Sequence, residues 1–153
     1  MARAPFNVLV VPFLRRPSNP TLYCVLRRAD EGWWQWVAGG GEDGKSPAEA
    51  ADRELFEETG LRGAVLALDS RARVPATAFA HQPTWVAGLT SIPEYQFAVE
   101  TASLEITLSP EHTELRWAAF DEAHDLLRWA SNQTALRELS RRITADSSSI
   151  SRT

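Results

Sequence analysis

The chain is poor in cysteine: Cys24 stands alone among 153 residues. An intrachain disulfide and a multi-thiolate metal site are therefore excluded, and a reducing compartment, by default the cytoplasm, suits the composition. Long hydrophobic runs are missing as well. The longest, Val8 to Leu14, contains Pro12, stops at Arg15-Arg16 and falls far short of the roughly 18 residues that suggest a membrane span. Arg3 followed by this run imitates the start of a secretory signal, yet no small-residue cleavage site follows and the run alternates like a strand. Basic runs are absent too. Sixteen Lys plus Arg against 20 Asp plus Glu give a net charge of −4, which is no nucleic-acid footprint. Neither a membrane nor a nucleic acid is an expected partner, and a phosphate-rich ligand would need a bridging cation. Oligomeric state is not legible in the sequence.

What is present is an ordinary globular mixture, 44% apolar and 24% charged, of a length that makes about one domain. Phe6 to Arg16 and Thr21 to Arg28 read as two strands joined by a turn at Pro17-Ser18-Asn19-Pro20. Trp33 to Ala38 reads as a third strand, ended by three glycines. Ser46 and Pro47 then supply an N-cap and a proline at the first helical position, opening a helix of about a dozen residues that Gly60 closes. Arg62 to Leu68, Ala72 to Ala80, Tyr95 to Glu100 and Glu114 to Phe120 are further strand candidates. Pro75 demotes the second of these to an edge strand or a loop. Glu122 to Trp129 and Gln133 to Ile143 have helical spacing, with Asp121 and Ser131 as caps. The expected class is α/β or α+β, a mixed sheet with helices packed on it.

The segment from Gly39 to Ser46, Gly-Gly-Gly-Glu-Asp-Gly-Lys-Ser, satisfies two phosphate-binding patterns, G-x-G-x-x-G and G-x-x-x-x-G-K-S. Ala64 to Leu68 followed by Asp69 even imitates the strand and acid that hold magnesium in a P-loop enzyme. Three objections count against both patterns. Glu42 and Asp43 place two carboxylates where phosphates would be wrapped. Pro47 removes an N–H donor from the helix that would face them. Beyond Asp69 the chain reads mostly as strands, not as alternating strands and helices.

The stronger signal follows, in Arg53-Glu54-Leu55-Phe56-Glu57-Glu58-Thr59-Gly60-Leu61. At about 100° per residue, Glu54, Glu57 and Glu58 share one arc, while Ala48, Ala51 and Leu55 lie on a neighbouring arc suited to face a sheet. Like charges at these spacings cost about 0.2–0.5 kcal/mol per pair, and anions in a last turn oppose the helix dipole. A sequence that breaks local rules in this way points to function, and converging hard oxygens suit Mg²⁺ or Mn²⁺.

From Gly39 to Leu61 the chain resembles the Nudix hydrolase signature G-x5-E-x7-R-E-U-x-E-E-x-G-U, where U is a bulky apolar residue. Every fixed position matches except the first glutamate, which is Lys45 here. The resemblance implies an α/β/α sandwich with a mixed sheet, residues 1–145 forming one such domain and 146–153 a frayed tail. It implies Mg²⁺ (or Mn²⁺) held by Glu54, Glu57 and Glu58 with the Gly39 carbonyl, and Arg53 orienting a glutamate. Lys45 leaves two readings open. In the first, the chain is an active hydrolase in which Glu42 or Asp43 supplies the missing charge and Lys45 contacts a substrate phosphate. In the second, it is a non-catalytic nucleotide-binding or regulatory module.

Glu111-His112-Thr113-Glu114-Leu115-Arg116-Trp117 resembles a segment of the Nudix enzymes that act on dihydroneopterin triphosphate and related nucleoside triphosphates. There the Glu111 position serves as a general base or metal-site residue, a role Glu54 could equally fill. Trp34 to Val37, Glu94 beside Tyr95, and Trp129 with Ser131-Asn132 look similar to the same subgroup. They make Trp34, Glu94 and Trp129 candidate substrate contacts. His81 and His112, each isolated, are weaker candidates as ligands or bases. The expected reaction is hydrolysis of a nucleoside or pterin triphosphate to a monophosphate and pyrophosphate.

Overall fold

The computed structural model describes residues 3–76 and 89–151, the side chains of 147–151 excepted. Strand β1 (Arg3–Arg16) is the axis of a seven-stranded mixed sheet. Its first half pairs antiparallel with β4 (Val37–Glu42), and its last residues pair with β2 (Asn19–Arg28) across the expected hairpin. Along the opposite edge β1 runs parallel to β6 (Ser91–Glu100), the parallel pair that makes the sheet mixed. Short β3 (Trp34–Gln35) and β7 (His112–Ala118) border β2, and β5 (Leu66–Pro75) closes the far edge beside β6.

Alternation along β1 explains the layers. Leu9, Val11 and Phe13 enter a core with Tyr23, Val25, Trp36 and Leu136, under helices α2 (Phe120–Leu126) and α3 (Ala130–Ser151). Val8 and Val10 enter a second core on the other face with Leu26, Ala50, Ala51 and Leu55, under helix α1 (Pro47–Thr59). The result is the expected α/β/α sandwich. No helix among the described residues is long and apolar enough to cross a membrane.

Helix α1 has the ends its sequence announces. The Ser46 hydroxyl accepts from Glu49 N–H while the Ser46 N–H donates to the Glu49 carboxylate, and Gly60 closes the helix at φ 75°.

Five expectations are corrected. The three glycines do not end a strand but form most of β4. Side chains there would collide with Glu54 at Gly39, with the Arg3 guanidinium at Gly40 and with the Phe6 ring at Gly41. The two strand candidates after α1 are one strand, β5, interrupted by a register shift between Ala67 and Arg71. The stretch 77–80 of the second candidate lies outside the described residues, as does His81. Pro75 does end an edge strand. Helix α2 starts after Ala119 with no side-chain cap, so Asp121 lies in its first turn. In α3, Asn132 and Gln133 N–H donate to the Trp129 carbonyl, which puts Ser131 inside the helix. The helix then runs to Ser151, past the Ile143 boundary its spacing suggests.

The β5 shift has a distant partner. Both Glu138 carboxylate oxygens, on α3, accept from the Asp69 and Ser70 N–H groups at 2.7 Å, and Arg142 pairs with the same carboxylate at 2.8 Å. Glu138 is buried, so its loss strands two amides that the sheet cannot satisfy. Glu138→Ala is expected to destabilise the fold by about 1–3 kcal/mol, measured by urea denaturation.

Candidate active site

Helix α1 lies across the glycine strand, and the missing side chains of β4 let its acidic face approach the backbone. Arg53 organises one side of that face. Its guanidinium donates to the Gly40 carbonyl at 2.8 Å and lies 3.1 Å from Glu42, 3.1 Å from Glu54 and 3.5 Å from Glu57. Three carboxylates and a carbonyl thus share one cation. Glu54 is buried, whereas Glu57 is exposed.

Glu58, one turn on, lies beside Glu54 and reaches across to the start of β7. Its Oε1 lies 2.7 Å from His112 Nε2, with both side chains 2% exposed. Its Oε2 is buried and makes no hydrogen bond, and neither does His112 Nδ1. Glu111, exposed and next in sequence, brings a carboxylate to the same place, so that ligand atoms of Glu58, Glu111 and His112 all lie within 4.8 Å of one another. The loop before β7 is held for this by backbone bonds: Ala29 N–H to the Glu111 carbonyl at 2.8 Å and His112 N–H to the Ser109 carbonyl at 3.2 Å. Two hard carboxylates, one with an orphaned buried oxygen, and a borderline imidazole fit a divalent cation such as Mg²⁺ or Mn²⁺.

Beside this cluster opens a cavity of about 830 Å³, and Gly39 and Gly40 form part of its wall. Arg3, Arg28 and Arg73 line it together with Asp30, Glu31 and Glu94, and Arg28 is paired with Asp30 at 2.6 Å. At its other end Trp33 and Trp129 meet edge to face with ring centroids 5.0 Å apart, and the Arg128 guanidinium lies 5.1 Å from each ring. Glu94 on β6 is buried in the wall, where its carboxylate accepts from Asn7 at 3.0 Å and Gln96 at 3.3 Å.

The structure therefore divides the residues singled out in the sequence. Glu54, Glu57 and Arg53 come together, Glu58 and Glu111 come together, and Gly39 joins the cavity to Glu54. Glu94 and Trp129 line the cavity. Trp34 does not; it packs beside the core, with the Arg116 guanidinium 5.5 Å from its ring, and its neighbour Trp33 takes the cavity position. Lys45 is exposed and outside the cavity wall, while Glu42 occupies the place beside Arg53. Sequence reasoning undervalued His112. Its adjacency to Glu111 was the available signal, but the 54-residue separation from Glu58 hid the pairing.

A family model for the NUDIX domain matches residues 5–140. The chain is similar to a Listeria monocytogenes protein whose crystal structure is described as a NUDIX hydrolase. The identity is 41% over 94% of this chain and 97% of that one, with a TM-score of 0.83. It is 37% identical over 147 residues to an octanoyltransferase of Myxococcus xanthus, covering 94% of this chain and 38% of that protein. The chain thus spans about two fifths of that relative's length. It is 25% identical over 140 residues to the dihydroneopterin triphosphate diphosphatase of Escherichia coli K12, covering 89% of this chain and 92% of that enzyme.

Charge concentrated on α1 alters proton affinities. Burial, then the adjacent Glu58 carboxylate, pushes Glu54 up to about 8. Burial also pushes Glu58 up to about 8, with the Glu111 charge adding to it. Burial holds His112 below its ordinary value. Between the ordinary glutamate range and about 8, the folded metal-free chain therefore binds more protons than the unfolded chain, and stability falls as pH rises through that window. A cation bound by the ionised carboxylates offsets this loss. In EDTA, Tm is expected to drop by about 5 °C or more between pH 5 and pH 9. Millimolar Mg²⁺ should shrink the drop, and a pH-independent Tm in EDTA would contradict the assignment.

Proposed function

The chain belongs to the Nudix family, and from that premise we propose that it is a Mg²⁺-dependent hydrolase of the diphosphate linkage in a nucleoside- or pterin-triphosphate-like substrate. The observation that carries this reading is the junction at Gly39, which lines the cavity of about 830 Å³ and packs against the Glu54 carboxylate of α1. Glu54, Glu57 and Glu58, with the Gly39 carbonyl and Glu111, would hold the cation. When bound, it would neutralise the phosphate chain and acidify a water molecule.

The remaining work belongs to the protein's own groups. Arg53 fixes the Glu54 carboxyl. The proton of the attacking water passes to Glu54, behind Gly39, or to Glu111, exposed on the far side of Glu58. The water oxygen bonds to the α-phosphorus, the bridging bond to the β-phosphate breaks, and pyrophosphate leaves with that oxygen. Arg3 and Arg73 in the cavity wall suit one end of a polyanion whose remaining charge the cation would meet. Trp33 and Trp129 offer aromatic surface to a base or pterin. The Glu94 carboxylate keeps lone pairs for ring N–H donors such as guanine or pterin present. Cys24 is buried, its thiol pushed up to about 12 by burial, and takes no part in this chemistry; with one cysteine in the sequence, we read the enzyme as cytoplasmic.

The competing reading, a binding module whose catalysis decayed at Lys45, loses its premise if Glu42 does the missing work. Glu42 reaches Arg53 from the end of β4. Glu42→Gln is expected to lower kcat/KM by about 10–100-fold. Lys45→Glu alone should change it little, and in the Glu42→Gln background it should recover part of the loss. A large gain from Lys45→Glu alone would favour decay.

For the reaction itself, the protein is incubated with Mg²⁺ and a panel of dihydroneopterin triphosphate, deoxynucleoside triphosphates, nucleoside diphosphate sugars and dinucleoside polyphosphates, and products are identified by mass. A monophosphate and pyrophosphate from one triphosphate are expected. Glu58→Gln should reduce that turnover by orders of magnitude while leaving the circular dichroism spectrum unchanged. Near-normal turnover in Glu58→Gln would sink the metal assignment, and binding without cleavage would favour the module.

A further inference from the structure

We propose that His112 is the positioning residue of the cation site, anchoring Glu58 Oε1 so that Oε2 is the oxygen left for the cation. The inference rests on the reading that Glu58 holds a cation, and goes beyond it by giving a role to a residue outside the glutamate motif.

The contact is short and dry. Nε2 and Oε1 are 2.7 Å apart, and each side chain is 2% exposed. A polar pair retained only for packing would satisfy its remaining atoms, because a buried oxygen with no partner costs about 1–3 kcal/mol. Here Glu58 Oε2 makes no well-formed hydrogen bond, its carboxyl having the Glu54 carboxyl and the Ala38 N–H as further polar neighbours. The arrangement is that of a ligand carboxylate held by a neighbour through one oxygen while the other is kept clear, which is how groups behind metal ligands tune metal sites.

Position in the fold supports the same role. His112 opens β7 at a register shift opposite Arg28, and the preceding loop is tied to α1 through Ser109 N–H and the Glu58 carbonyl at 3.4 Å. The imidazole therefore meets Glu58 from a separate element, fixing a side chain that α1 alone would leave with several rotamers. His112 could instead be a ligand itself, since its ring lies within the same 4.8 Å cluster. The 2.7 Å bond occupies Nε2, which leaves Nδ1 as the nitrogen a ligand role would use, and a ¹⁴N measurement separates the two roles.

The test uses the whole chain, stripped with EDTA and titrated with Mn²⁺ by electron paramagnetic resonance. His112→Leu is expected to raise the Mn²⁺ Kd about 10–100-fold. His112→Gln, which keeps a donor near Nε2, should restore most of the affinity. Melting curves in EDTA separate this from unfolding, and His112→Asn, polar but too short, repeats the comparison if the leucine variant does not fold. Electron spin-echo modulation of the wild-type Mn²⁺ complex should show no directly coordinated ¹⁴N. The proposal is overturned by a ¹⁴N ligand signal, which makes His112 a ligand. It is equally overturned by wild-type Kd in the His112 variants when Glu58→Gln has lost affinity. Unchanged Kd in Glu58→Gln removes the cation reading itself, and the proposal with it.

Discussion

The close approach of α1 to β4 is the constraint on which the site depends. A helix lying on a sheet normally keeps about 10 Å of side chain between the two backbones. At Gly39, Gly40 and Gly41 one layer of those side chains is missing, and Glu54, Arg3 and Phe6 fill the space that Cβ atoms would take. The acidic face of α1 therefore rests on backbone, where a carbonyl such as that of Gly40 can serve the same arginine as the carboxylates. The glycines also open the neighbouring cavity wall. One local property, the absence of side chains on a strand, creates both halves of the site and joins them.

Gathering carboxylates in this way works against the fold. Glu54 and Glu58 are buried on the same helix, with no basic residue in its last turn to oppose the dipole. Arg53 offsets part of the repulsion by bridging Glu42, Glu54 and Glu57. It does not reach Glu58, whose described partner is a neutral ring. The capping box at Ser46 and the left-handed Gly60 hold the two ends of the helix, so its strained middle is braced by conventional devices. The electrostatic imbalance remaining at Glu58 is of the sign that an external positive charge would relieve.

Much of this was legible because it is local. Ser46, Pro47 and Gly60 announce the ends of α1 within the helix itself, and the spacing of Glu54, Glu57 and Glu58 places them on one face without knowledge of the sheet. The alternation of β1 is equally direct. What the sequence could not reveal depends on distant partners. Two strand candidates were separated at Asp69-Ser70, and what carries one strand through that point is Glu138, far along the chain, which accepts from both amides. The glycine run looked like a terminator because glycine is weak in strands, and only packing against Glu54, Arg3 and Phe6 makes it necessary there. Trp33 and Trp34 differ by one residue. Alternation along the strand sends one toward the cavity and the other toward the core, and choosing between them needs the register with β2. His112 was discounted as isolated, which it is in sequence and not in space.

Lys45 shows how a motif and its chemistry can part. A pattern counts residues along the chain, whereas an arginine senses charge by distance. Because β4 continues through Gly41 to Glu42, its last side chain comes to lie 3.1 Å from the Arg53 guanidinium. The chain then turns through Gly44 at φ 79°, and the residue that the pattern would make acidic ends up in solvent beside the helix cap. A carboxylate at position 45 would have had to return toward Arg53 from that turn. One at position 42 arrives from the strand. On the proposed reading, a strand residue three positions earlier supplies the charge that the motif places at 45, and the departure at Lys45 is a change in which residue delivers the anion to Arg53.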